Sequence, residues 1–171
     1  LVHLDTAALA GLTSAQVTGL TTAQVRALTS DQIAALSTAQ VAAIATNDLA
    51  VLTTAQIQAL TPSQMAALTS TQVAALTTAQ VAAIATDDIG SLSTSAVRGL
   101  TAAQVVALTT DQAEQLTTAQ VAALTAAQVA AIATNDLQAL GTGQIAALTT
   151  AQAAALTSAQ IAALTTAQLG A

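Results

Sequence analysis

The sequence predicts an all-α solenoid of very short helices, one in each eight-residue repeat, and three observations lead to this fold class. Leu or Ile stands at every eighth position from Leu4 to Leu164, 21 times without an insertion. Thr or Ser opens most repeats and Gln follows three residues later, which is the pattern of a helix capping box. Aromatic residues and cysteine are absent, so any core must be built from aliphatic side chains.

The repeat unit is Thr-Thr-Ala-Gln-Val-Ala-Ala-Leu, as in residues 117–124, and its positions are numbered 1 to 8 from Thr117. Position 5 is nearly always Val, Ile, Leu or Met, and position 7 is mostly Ala or Gly. No Pro-rich stretch, charge run or change of composition marks a linker. Residues 1–171 are therefore predicted to be a single array of about 21 repeats, and we expect it to be part of a longer repeat protein.

A helix that restarts in every repeat explains this period better than a continuous helix or a strand. Eight residues overshoot two helical turns by about 80°, so the apolar stripe of a continuous helix would wind around its axis. In a strand, positions 5 and 8 would lie on opposite faces. In a short helix, positions 2, 3 and 6 share an outer arc, and the aliphatic positions lie opposite. We predict helices of about five to eight residues that break between positions 8 and 1.

The helix ends support the same register. The pair of Thr or Ser at position 1 and Gln at position 4 occurs in 15 of the 20 repeats that start between Thr13 and Thr165. Pro62 occupies position 2, the first helical residue, where its missing N–H costs nothing. Seven of the eight acids lie at positions 1, 3 or 4, and Arg26 and Arg98 lie at position 6, as the helix dipole favours. One repeat buries too little apolar surface to fold alone, so repeats must stack.

The composition excludes several classes of function. Two arginines against eight acids give a net charge of −6, and so few cations cannot neutralise a run of phosphates, which excludes nucleic acid as a partner. Polar residues interrupt almost every stretch of five, so no membrane insertion is expected. His3 is the single imidazole and is expected to be solvated, so no His-based metal or catalytic cluster can form.

Two kinds of polar residue recur in the register. Gln at position 4 falls on the inner arc, which predicts capping and hydrogen bonds between stacked repeats; a glutamine ladder that recognises a ligand is the alternative. Thr or Ser at position 2 occurs in 17 of 20 repeats and falls on the outer arc. The simplest interpretation is a solvated helix start. The alternative is a regular hydroxyl array of the kind that ice-binding proteins use.

Three repeats depart together from the capping pattern, at residues 45–48, 85–88 and 133–136, which read Ala-Thr-Asn-Asp or Ala-Thr-Asp-Asp. The side-chain oxygens of Asp48, Asp87, Asp88 and Asp136 are candidate cation ligands. An alternative helix start with Asp near the positive end of the dipole explains them as well and is favoured. We predict no catalytic residue, no cofactor, no metal site and no small-molecule substrate, and therefore no enzyme.

Two stretches resemble known repeat families. Residues 36–48, which run Leu-Ser-Thr-Ala-Gln-Val-Ala-Ala-Ile-Ala-Thr-Asn-Asp, resemble the opening of a TAL-effector repeat. This supports a helix here, but the eight-residue period and the scarcity of basic residues argue against DNA reading. Residues 12–171 resemble the Thr-x-x-Gln-Val-Ala-Ala-Leu tracts of very large bacterial repeat proteins labelled as adhesins or haem-utilisation proteins. That resemblance implies a surface or secreted stalk, although no His, Met or Cys array suits haem ligation.

These observations lead to one expected function and two alternatives. We expect a non-enzymatic structural module, a spacer, stalk or self-assembling filament element of a bacterial cell-surface or extracellular protein. Its expected partner is itself, through end-to-end stacking or adjoining repeats. The first alternative is an ice-binding protein that uses the threonines of position 2. The second is a designed, consensus-like repeat, against which irregular substitutions such as Arg98, Glu114 and Gly141 argue.

Overall fold

The computed structural model describes residues 5–171, and within them the chain forms 21 short α-helices and no strand. His3 lies outside the described residues. The helices are α1 Thr6–Ala10, α2 Ser14–Thr18, α3 Thr22–Arg26, α4 Ser30–Ala34, α5 Thr38–Ala43, α6 Thr46–Leu49, α7 Thr54–Gln58, α8 Pro62–Ala67, α9 Ser70–Ala75, α10 Thr78–Ala82, α11 Thr86–Ile89, α12 Thr94–Arg98, α13 Ala102–Val106, α14 Thr110–Glu114, α15 Thr118–Ala123, α16 Ala126–Ala131, α17 Thr134–Ala139, α18 Thr142–Ala146, α19 Thr150–Ala154, α20 Ser158–Ala163 and α21 Thr166–Leu169. The prediction of one short helix in each repeat is confirmed.

Each helix begins at position 2 and ends before position 8. In α13, the Thr101 hydroxyl accepts from the Gln104 amide N–H at 3.2 Å, and Gln104 Oε1 accepts from the Thr101 N–H at 2.7 Å. All 15 predicted capping boxes form in this way, and Gln144 closes onto the N–H of Gly141, which has no side chain to return the bond. Such caps replace the intrahelical partners that a first turn lacks.

The helices contain four to six residues, so they do not reach the upper end of the predicted length. The cause is the backbone at position 8, which turns extended, as at Leu76 with φ −62° and ψ 146°. The amide of position 8 still donates to the carbonyl of position 5, as from Leu76 N to Val73 O at 3.2 Å. The chain therefore leaves one helix and enters the next cap without a separate loop.

Three repeats make one coil of the solenoid. Within residues 5–171, the helices whose backbones lie close together are always three apart in the chain. The 21 helices therefore form three columns of seven, and successive members of a column are 24 residues apart. Column A contains α1, α4, α7, α10, α13, α16 and α19; column B contains α2, α5, α8, α11, α14, α17 and α20; column C contains α3, α6, α9, α12, α15, α18 and α21.

The three columns enclose one continuous aliphatic core. Positions 5 and 8 supply it, from Leu9 through pairs such as Val73 and Leu76 to Leu137 and Leu140. Position 4 is also buried in most repeats, and positions 2, 3 and 6 face outward, as the helical wheel predicts. Because each repeat buries its apolar face against other repeats, the array is stabilised by contacts between repeats rather than by any single helix.

One stacking contact leaves no room for a side chain. At position 7 of its repeat, Gly99 brings α12 against the backbone of α9, and a Cβ at Gly99 would overlap the backbone of Ser70. Position 7 is mostly Ala or Gly along the array, and Gly99 is a place where the fold requires glycine. None of the helices within residues 5–171 has the length and the continuous apolar character that a membrane crossing needs.

Candidate functional site

The most regular chemical feature of the structure is a ladder of buried glutamines that joins each coil to the one before it. Gln104 shows the geometry: its Nε2 donates to the carbonyl oxygens of Val73 at 2.8 Å and Leu76 at 2.6 Å. These acceptors lie 31 and 28 residues earlier, at positions 5 and 8 of the repeat that leads into α10, the helix on which α13 stacks. One amide thus caps its own helix through Oε1 and ties two coils together through Nε2.

The same bonds recur along most of the array, and we call this set the glutamine ladder. Its members with Nε2 bonds to the preceding coil are Gln40, Gln56, Gln64, Gln72, Gln80, Gln104, Gln112, Gln120, Gln128, Gln144, Gln152, Gln160 and Gln168. The carbonyl of position 8 has no backbone donor in these repeats, so the ladder supplies its hydrogen bond. A buried carbonyl that is left without a hydrogen bond destabilises the folded state by about 1–3 kcal/mol.

The predicted hydrogen bonds between stacked repeats are therefore confirmed. What sequence reasoning missed is which repeat supplies the acceptors, because that depends on the number of repeats in a coil. The available signal was the retention of Gln at position 4 even where the cap residue changes, as at Gly141 and Gln144. Gly141 has no hydroxyl to complete a capping box, so the reciprocal box alone does not explain the glutamine at this position.

Two of the three repeats that begin Ala-Thr-Asn-Asp or Ala-Thr-Asp-Asp replace the ladder by a different bond between coils. Asp48 and Asp136 are buried, and each accepts from a threonine hydroxyl of the coil below: Thr22 Oγ1 at 2.7 Å and Thr110 Oγ1 at 2.8 Å. Asn135 adds Nδ2 bonds of 2.8 Å to Asp136 Oδ1 and 2.9 Å to Thr110 Oγ1. These aspartates are structural acceptors at a helix start.

The third such repeat lacks this network. The residue 26 before Asp88, where Thr22 and Thr110 stand for the other two, is Pro62, which has no hydroxyl. The residue before Asp88 is Asp87 rather than the asparagine found at 47 and 135. Desolvation of its carboxyl, and secondarily the neighbouring charge of Asp87, raise the pKa of Asp88 above its ordinary value. Asp88 is thus a carboxylate without the donors that serve its two counterparts.

The acidic residues do not assemble into a metal centre in the part of the chain that the structure describes. No group of three or more His, Asp or Glu side chains has the geometry to hold an ion within residues 5–171. The candidate ligands Asp48 and Asp136 instead face threonines, on columns C and B respectively. The alternative helix start favoured by the sequence is the arrangement that the structure contains.

A small cavity lies beside Asp136. Its volume is about 10 Å³, and the side chains of Leu108 and Leu140 line it together with other aliphatic residues of the core. Aspartate is shorter than glutamine, so no side-chain amide reaches the carbonyl of Leu108 as it would in a ladder repeat. The cavity has about the size of one water molecule, and it offers no room for an organic ligand.

The hydroxyls of position 2 are sorted by the coil into the three columns. Column C carries a hydroxyl at position 2 in every coil, namely Thr22, Thr46, Ser70, Thr94, Thr118, Thr142 and Thr166. Column A is interrupted by Ala102 and Ala126, and column B by Pro62. Not all of these hydroxyls are free for solvent, because Thr22 and Thr110 bond to aspartates and Ser30 Oγ donates to the carbonyl of Ala55 at 3.4 Å.

The outer surface also separates the charges. Column B carries the exposed acids Asp87, Asp111 and Glu114, and column C carries both arginines. An open groove of about 410 Å³ lies between α9 and α12, with Ser70, Ser95 and Arg98 among its lining residues. Arg98 is exposed, and the groove contains no buried polar side chain, so it is a consequence of the close α9–α12 contact and not a built ligand site.

Comparison with known families gives one result. A family model described as the ALTTAQ repeat matches residues 1–29, 19–46, 41–78, 81–118 and 129–166, which together make up most of the chain. No curated protein and no solved structure matches it.

Proposed function

The chain belongs to the ALTTAQ repeat family, and we propose that it acts as a non-enzymatic structural module: a spacer or stalk that lengthens by one coil for every three repeats and can assemble end to end. The observation that carries this proposal is the glutamine ladder, which repeats the same joint from coil to coil. When the same hydrogen-bonded contact recurs between coils, the length of the array is fixed by its number of repeats. The buried glutamines are engaged in that contact, so the array is suited to act as a spacer. Its stability grows with the number of neighbouring contacts.

The two ends of the described array are chemically complementary. At one end, Gln16 and Gln24 are exposed, and within residues 5–171 their Nε2 groups have no acceptor. At the other end, the carbonyls of Leu156 and Leu164 receive no ladder bond, and Ile161 is 49% exposed at position 5. Ladder bonds from Gln16 and Gln24 of one copy to the carbonyls of Leu156 and Leu164 of another would join the two ends. Such a head-to-tail contact does not close and so builds filaments.

The first test is association of the chain itself. We expect its sedimentation coefficient to rise with concentration without any added ligand. Leu169→Asp, which places a charge on a side chain that is 64% exposed at the end of the array, is expected to abolish the rise. Val106→Asp is the matched control, because Val106 is 58% exposed but lies on the side of column A. A chain that stays monomeric at every concentration, or equal loss in both variants, would contradict end-to-end assembly.

We further propose that the module belongs to a cell-surface or extracellular protein of a bacterium. The support for this location is the resemblance of residues 12–171 to the octapeptide tracts of large bacterial surface proteins. A long, weakly charged array without aromatic residues suits a stalk, since it offers few anchors for other partners. Placement of the parent protein by fractionation of the cells that produce it would test the location directly.

Ice binding is the second candidate function, and one observation favours it: column C presents a hydroxyl at position 2 in every coil. If the array binds ice, the activity should reside on this column. Replacing Thr94, Thr118 and Thr142 by Lys should then abolish inhibition of ice recrystallisation. The matched variant replaces Thr54, Thr78 and Thr150 on column A and should retain it. Absence of activity in the unmodified chain would exclude this function, and equal loss in both variants would exclude its assignment to column C.

A further inference from the structure

One joint of the solenoid lacks two of its three ladder bonds. It lies between the coil of α7–α9, residues 53–76, and the coil of α10–α12, residues 77–100. Gln80 of α10 supplies one bond, to the carbonyls of Leu49 and Leu52 in the repeat that leads into α7, both at 2.8 Å. Asp88 and Ala96 occupy the ladder position in the next two repeats. The carbonyls of Leu60 and Leu68 therefore receive no side-chain amide. No other joint within residues 37–171 has two vacancies.

On column B, nothing replaces the missing ladder bond. At Asp48 and Asp136, a threonine hydroxyl of the lower coil donates to the carboxylate. At Asp88 the corresponding residue is Pro62, and the adjacent Asp87 is a like charge where Asn135 donates to Asp136. Asp88 therefore lacks both the threonine hydroxyl and the asparagine amide that donate to Asp136.

On column C, packing alone holds the joint. Ala96 is fully buried but too short to reach the lower coil, and α12 rests on the backbone of Ser70 through Gly99. Beside this contact lies the open groove of about 410 Å³. The close packing of α9 against α12 keeps the coils together on column C, but it provides no donor for the carbonyl of Leu68.

We propose that this joint is a built-in opening point, at which α11 and α12 separate from α8 and α9 before any other stacked pair of helices opens. The ladder bonds on either side of the two vacancies, from Gln80 and from Gln104, limit the opening to this place. The stability of a repeat array is approximately the sum of its nearest-neighbour interfaces, so the weakest interface opens before the others. A stalk with one weak joint yields at a defined place under load. The inference concerns interface strength, and it holds whether or not the array serves as a spacer.

Native-state hydrogen exchange on the full chain tests the proposal. Amides of α11 and α12 should exchange at least about tenfold faster than those of α14 and α15, which lie in the same columns one coil later, because two ladder bonds are missing. The joint below α13–α15 has all three ladder glutamines, Gln104, Gln112 and Gln120. Uniform exchange through the two coils would overturn the proposal.

Two variants that add the missing bonds make the test specific. Asp88→Gln restores a donor to the carbonyl of Leu60, and Pro62→Thr gives Asp88 the hydroxyl that its counterparts have. Each should slow exchange of α11 by about tenfold. Asp88→Asn removes the charge, but its side chain is too short to reach the lower coil. This variant should slow the exchange of the α11 amides much less.

The matched control is Asp136→Gln, which gains a ladder bond but loses the bond from Thr110, so exchange around α17 should change little. Protection by Asp88→Asn equal to that by Asp88→Gln would show that charge repulsion, not the missing ladder, weakens the joint. Protection by Asp136→Gln equal to that by Asp88→Gln would show that the joint at Asp88 is not exceptional. Either result would overturn the proposal.

Discussion

Leu76→Asp is expected to destabilise the array by about 4 kcal/mol or more, because it places an unpaired carboxylate in a core made only of aliphatic side chains. Leu76 is 5% exposed at position 8, and it belongs to the core that neighbouring coils share. Its loss therefore weakens the stacking on both sides of one coil. Thermal and urea unfolding followed by circular dichroism at the helical minimum would measure the change.

Thr78→Asp is the control for this prediction. Thr78 is exposed at position 2, in the first turn of α10, where a negative charge interacts favourably with the helix dipole. We expect a change within about 0.5 kcal/mol, in either direction. Similar losses for the two variants would mean that the inner and outer faces of the repeat are wrongly assigned.

Gln104→Met is expected to cost about 2–4 kcal/mol, although methionine fills a similar volume and is more apolar. The substitution removes the donor to the carbonyls of Val73 and Leu76 and the acceptor for the Thr101 N–H. All of these groups are in or near the core, where water cannot easily replace the amide. Denaturant unfolding of the full chain would give the difference in the free energy of unfolding.

Gln16→Met separates the two roles of the ladder glutamine. The Oε1 of Gln16 accepts from the Thr13 N–H at 2.8 Å, but within residues 5–171 its Nε2 has no acceptor. Its loss should cost only the cap, about 1 kcal/mol. If the two substitutions cost the same, the bonds between coils contribute nothing measurable, and the ladder cannot be what joins the coils.

The sequence by itself determined the features that depend on residues close together in the chain. The capping box joins residues three apart, such as Thr101 and Gln104, so its pattern marks most of the helix starts. The helical wheel of eight residues separates positions 4, 5 and 8 from positions 2, 3 and 6 without knowledge of any neighbour. The all-α class, the register of the helices and the identity of the core residues followed from these local rules.

Only the tertiary structure decided which repeats meet. The backbone turn at position 8, as at Leu76, sets three repeats in one coil, and no side-chain pattern of a single repeat encodes that angle. The acceptors of Gln104 are 31 and 28 residues away, and the partner of Asp136 is 26 residues away. The columns of hydroxyls and the vacancy at Asp88 opposite Pro62 depend on the same angle. The hydroxyl columns and the vacancy exist because stacking brings together repeats that are far apart in the chain. Repeats with the same sequence pattern therefore have different neighbours.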